Sequence, residues 1–160
     1  MDGPSLERSL AAFAALSAML LALDVRMRRT GGGGIVALEW AGSPRRADAV
    51  LRRWGPAGRR AALASLVLEF GYAVSFSALL AAGRRRFAPA SARTPAAALA
   101  PAAGALDVVQ TVALLMVLAG RRGTWPRVAR WSSFTKFGVM GADVALIAVA
   151  AARPSDPSGS

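Results

Sequence analysis

The 160-residue chain is 54% hydrophobic with a mean hydropathy of +0.40, too apolar for an ordinary soluble domain of that size. Its formal charge of +11 would suggest nucleic acid in a soluble protein, but nearly all the basic residues lie between apolar blocks, where they set membrane topology and meet anionic head groups; no nucleic-acid partner is expected. With neither cysteine nor histidine, disulfides, thiol redox chemistry and the commonest general base and metal ligand are absent, so no metal and no resident cofactor are expected.

The first apolar block, about 6–25, reads as a retained transmembrane helix rather than a signal peptide, because MDGPSLER lacks a basic leader region. Asp24 near its end is placed to pair with Arg28 at i+4. Gly31 to Gly34 follows as a flexible linker, without the Lys-Ser/Thr ending of a phosphate loop. Ser43 and Pro44 supply an N-cap and a first-turn proline. Ala47, Val50, Leu51 and Trp54 then recur at helical spacing opposite Arg45, Arg46, Asp48, Arg52 and Arg53, until Gly55-Pro56. This is a short basic amphipathic helix, about 44–54, for the head-group layer or for the mouth of a helix bundle.

The second block, about 61–82, carries Glu69 near mid-depth with Ser65 and Tyr72 on its face, and Gly71 and Ser75 as a small-xxx-small pair for close helix approach. Three arginines and a Pro- and Ser-containing loop close it. The third block, about 96–119, is long enough to cross a bilayer, yet Asp107, Gln110 and Thr111 share one face at i, i+3 and i+4. A carboxylate near the bilayer centre costs about 2.5 to 3.5 kcal/mol if it faces lipid, so this face needs partner helices. Pro101 either kinks this helix or marks its start. In the fourth block, about 131–152, Lys136 and Asp143 stand two turns apart on one face, Lys136 near enough to the end to snorkel, while Gly138, Gly141 and Ala142 permit close packing. Residues 154–160 read as a disordered tail.

Thirteen arginines lie in the segments joining the first span to the second and the third to the fourth, against six on the other side, which puts both termini outside. Glu69, Asp107 and Asp143 come from three spans at similar depth. In one dry core they would repel, so one of them must hold a proton or face a cation.

The run WGPAGRRAALASLVLEFGYAVSFSALLAA, the later AGALDVVQTVALL and a last helix with Lys136 resemble a group of small bacterial four-helix integral membrane proteins of uncharacterised function. Trp54, Glu69, Tyr72, Asp107 and Lys136 match that pattern, and Gln110-Thr111 stands where the pattern has Glu-Asn. The resemblance implies the architecture, a bacterial inner membrane and a site without naming an activity.

The expected fold is an all-α, single-domain, multi-pass bundle of four transmembrane helices, residues 1–153, with the amphipathic helix between the first two. The leading functional expectation is an intramembrane pocket for an apolar or isoprenoid-like molecule, open to acid/base isomerisation or cyclisation. Glu69, Asp107 and Asp143 would be its catalytic groups, with Lys136 paired to Asp143 in support and Tyr72, Gln110 and Thr111 as orienting hydrogen-bonders. The alternatives are a membrane subunit with structural buried acids and a small proton-coupled carrier. Membrane lipids, a second copy of the chain or another membrane protein are the expected partners.

Overall fold

A computed structural model describes residues 6–87 and 98–152. The expected Pro- and Ser-containing loop, the first residues of the third block and the expected disordered tail lie outside the described residues. Among the described residues, five helices occur in chain order: α1 (Leu6–Arg28), α2 (Ile35–Glu39), α3 (Pro44–Phe87), α4 (Leu99–Leu118) and α5 (Trp125–Ala152). There is no strand among the described residues. Helices α1, α3, α4 and α5 are each long and apolar enough to cross a membrane. Helix α1 runs along α3, α3 along α4 and α4 along α5, while α2 wedges against α3, α4 and α5.

The bundle buries polar side chains beside its apolar core and exposes many large apolar ones. Ser65, Glu69, Ser75, Gln110, Thr111, Ser133 and Asp143 are buried, whereas Leu21, Val67, Val74, Val109, Trp131 and Leu146 are exposed. An apolar outer surface around buried polar groups is the distribution that a hydrocarbon surrounding selects.

The amphipathic segment and the second span are, as expected, two helical arms that meet at a kink within α3. Only Gly55 leaves helical geometry, at φ 57 and ψ −163, a left-handed conformation that favours glycine. Pro56, with its fixed φ and no N–H to satisfy, then opens the second arm directly. The start at Pro44 follows the expected capping, with Ser43 Oγ accepting from the Arg46 N–H at 3.4 Å.

The apolar stripe of the first arm packs on protein. Ala47, Leu51 and Trp54 join Met27, Leu38, Leu66, Leu114 and Val117 in the main core, and Trp54 is 1% exposed. At about 25 cal/mol per Å² of apolar area, a buried tryptophan is among the largest single contributions to this end of the molecule. The Trp54 indole N–H donates to the Gly33 carbonyl at 2.7 Å.

The glycine run is correspondingly a packed turn and not a flexible linker. A Cβ on Gly32 would overlap Trp54, a Cβ on Gly34 would overlap the Asp24 carboxylate, and Gly33 has φ +79. Asp24 pairs with Arg28 at 2.6 Å as its spacing predicts, and its other oxygen accepts from the Ile35 N–H at 2.8 Å, capping α2 from α1.

Helix α5 begins at Trp125, six residues ahead of the expected start, because Pro126 sits in its first turn and the Thr124 carbonyl accepts from the Arg127 and Val128 N–H groups. Lys136 therefore lies about 16 Å along the helix axis rather than near its end. Pro101 occupies the first turn of α4 and marks its start. Close helix approach occurs at Gly104, where a Cβ would come 2.5 Å from Ser77 Oγ of α3. The close packing expected at Gly138 and Gly141 is not found, since both face open space.

Candidate functional site

Glu69 and Tyr72 from α3, Asp107 from α4, Lys136 from α5 and Glu39 from α2 converge on one cavity of about 200 Å³, whose remaining wall includes Leu20, Phe76 and Phe137. Each acid is held by a neighbouring element. Thr111 Oγ1 donates to Glu69 Oε2 at 3.0 Å, Lys136 Nζ donates to Asp107 Oδ1 at 2.5 Å, and Ser133 Oγ donates to Glu39 Oε2 at 3.4 Å. Lys136 also sits 5.2 Å from the Phe137 ring centroid, a cation–π contact that helps to hold the ammonium in an apolar wall. The Tyr72 ring stacks on Phe76 at 6.2 Å and meets Phe13 of α1 at 5.2 Å, which fixes one side of the cavity.

The expected site divides. Glu69, Asp107, Tyr72 and Lys136 come together at the cavity, and Thr111 stands behind it as the partner of Glu69. Gln110 is fully buried, does not line the cavity, and neither of its amide atoms has a hydrogen-bond partner among the described residues. Asp143 is elsewhere: it pairs with Arg84 Nη2 at 3.2 Å in a separate buried site. The expected Lys136–Asp143 pair is therefore corrected, and Asp143 does not line the cavity that Glu69 and Asp107 share. Seven residues put them on one face of α5 but about 10 Å apart along it, and each side chain reaches a different neighbouring helix.

Three residues belong to these sites without a clear mark in the sequence. Arg84 stands in a basic run at the end of a span, yet it turns inward and is buried. Glu39 and Ser133 do not lie in the middle of an apolar block, where a polar residue stands out. A lone carboxylate inside the apolar run IVALEW is the available signal for Glu39. Burial pushes the Glu39 carboxyl above its ordinary value of 4.5, against the opposing pull of Lys136 and the Ser133 hydroxyl.

Chemically, the cavity has three carboxyl groups against one ammonium, and Asp107 Oδ2 is buried with no hydrogen-bond partner among the described residues. It is thus rich in acceptors and able to store protons. A second cavity of about 260 Å³ borders the same wall, sharing Glu69, Tyr72, Leu20 and Val36 and extending to Asp24 and Ser17. Among the described residues, no three acidic side chains are arranged to hold a metal ion. Comparison with protein-family models, with curated proteins and with solved structures finds no match for this chain.

Proposed function

We propose that the chain is a multi-pass membrane protein, of a bacterial plasma membrane and with both termini outside, whose cavity binds a small, mainly apolar molecule and exchanges protons with it. The observation that carries this reading is the convergence of Glu69 and Asp107, from different helices, on one cavity whose other walls are apolar and aromatic. Glu69 faces a hydroxyl partner and suits the acid; Asp107 faces the Lys136 ammonium, keeps Oδ2 free, and suits the base.

On an alkene the two would act in turn. Glu69 gives its proton to one carbon of the double bond, Asp107 takes a proton from the allylic carbon, and the double bond shifts with no net oxidation. The excess of acids over Lys136 favours the positive charge that develops between these steps. At about 200 Å³ the cavity is smaller than the usual range of roughly 300–1,000 Å³ for drug-sized ligands. It holds one end of an isoprenoid-like chain, with the rest lying outside it.

Native mass spectrometry of the detergent-purified protein, wild type beside Glu69→Gln, tests the reading. The substituted amide keeps an acceptor for Thr111 and removes only the proton site. A co-purifying apolar molecule, chemically altered by the wild type and unaltered by the variant, supports the pocket and its chemistry. An empty wild type together with an unchanged variant refutes it.

A second reading, a membrane subunit with structural acids, is favoured by a different observation. Each of the four buried acids bridges two elements: Glu39 to α5, Glu69 to α4, Asp107 to α5 and Asp143 to α3. Such ties fix helix register in a bundle that lipid would otherwise leave free to slide.

A further inference from the structure

Between α3 and α4 lies an open groove of about 520 Å³, separate from the acidic cavity. Arg59 and Arg60, in the first turn after the Gly55 break, stand at one end of it. Leu63, one turn further along the same arm, and Leu115, Met116 and Leu118 of α4 form its apolar walls. Leu115 and Leu118 pack on the main core from behind, so that wall is fixed.

The two arginines have no carboxylate partner among the described residues. Arg59 Nε donates to the Leu51 carbonyl at 3.1 Å, which tethers the guanidinium while leaving its terminal nitrogens to other acceptors. The nearest arm's own acid, Asp48, is taken by Arg122. The groove lining therefore has two cations and no anion, with Leu63 about 6 Å along the arm from Arg59.

We propose that this groove binds an anionic phospholipid, its phosphodiester on Arg59 and Arg60 and one acyl chain along Leu63, Leu115 and Met116. Paired guanidinium groups match phosphate oxygens in planar, two-point contacts. The order of polarity along the groove, charged then apolar, is that of a lipid entering from the membrane surface. A soluble phosphate would leave the apolar walls unused, and a zwitterionic head would bring a cation against two others. The proposal rests on the membrane placement given above but not on the chemistry of the acidic cavity.

The test is native mass spectrometry of the full chain in neutral detergent, titrated with phosphatidylglycerol or with phosphatidylcholine of matched chains. Phosphatidylglycerol is expected to bind more tightly, and Arg59→Gln/Arg60→Gln to weaken it about thirtyfold. Arg45→Gln/Arg46→Gln, two exposed arginines of the first arm, should leave binding within about threefold, which separates a site from general surface charge. Leu63→Trp fills the groove without changing charge and should also weaken binding; Leu63 is exposed, so this variant decides the matter if the arginine pair proves necessary for folding. Equal binding of the two lipids, equal losses in both arginine pairs, or displacement of phosphatidylglycerol by millimolar inorganic phosphate would each overturn the assignment.

Discussion

Among the described residues, two buried ion pairs join helices of this bundle, and their surroundings differ. Lys136–Asp107 joins α5 to α4 at 2.5 Å with side chains 12% and 7% exposed, on the wall of a cavity that also contains Glu39, Glu69 and Tyr72. Arg84–Asp143 joins α3 to α5 at 3.2 Å with side chains 7% and 0% exposed, and no other described acid or base pairs with either partner. The first pair is one of several charges around a space; the second joins one acid to one base, with Asp143 Oδ1 and Arg84 Nε left without a hydrogen-bond partner among the described residues. Under the proposed function the pair beside surplus acids and a cavity takes part in the chemistry, and the other pair is structural.

The largest expected effect comes from breaking either tie on one side. Arg84→Met leaves Asp143 buried without its cation and should cost about 3–5 kcal/mol of unfolding free energy in detergent or bicelles. Lys136→Met should cost a similar amount by orphaning Asp107. The double variants then separate the pairs. Arg84→Met/Asp143→Leu should regain most of the stability and keep the ligand proposed for the cavity, while Lys136→Met/Asp107→Leu should regain stability and lose it. If both doubles retain ligand, the functional distinction between the pairs fails.

A smaller effect on stability is expected at the centre of the cavity. Glu69→Gln should change unfolding by less than about 1 kcal/mol, since the Thr111 hydroxyl still has an acceptor, yet abolish the turnover proposed for the cavity. A variant that melts much earlier and still turns over would reverse the assignment of roles. The same substitution thus reads stability and chemistry separately, which Asp107→Asn does not, because that change also strands Lys136.

The smallest effect is on pH dependence. Burial holds the Glu39 carboxyl above 4.5, so the folded state keeps this proton more firmly than the unfolded chain. Its contribution to stability is complete below pH 4.5 and is lost as pH rises through the elevated folded-state value. Glu39→Gln should flatten the stability profile across that window, measured as the difference between wild type and variant. A difference that stays constant with pH would place Glu39 outside the buried electrostatics.

Much of this is legible in the residues, element by element. The lengths of the apolar blocks give four membrane-length helices, Ser43-Pro44 starts α3, and Gly55 breaks it. The spacing of Asp107, Gln110 and Thr111 places all three on a buried face, and all three are buried. Burial alone does not sort them: Asp107 lines the cavity, Thr111 supports Glu69 from behind, and Gln110 does neither. The glycine run reads as slack chain because flexibility is the property that glycine shows in sequence. Its other property, the absence of a Cβ, matters here, since Gly32 and Gly34 lie against Trp54 and Asp24.

Hydrophobic block length, helical period and capping act within a single segment. The helices, their approximate ends and the face that each presents inward are therefore encoded locally, in the order of the residues alone. The choice of partner across helices is not. Arg84 and Lys136 carry long flexible side chains, and Lys136 shares its cavity with three acids. Which carboxylate each meets depends on the rotation and stagger of neighbouring helices, quantities set jointly by the packing at Gly104, by Trp54 in the core and by the wedge of α2. The same packing brings Glu39 from a five-residue helix into the site, because a cavity is a property of several surfaces at once and no single stretch of chain encodes it.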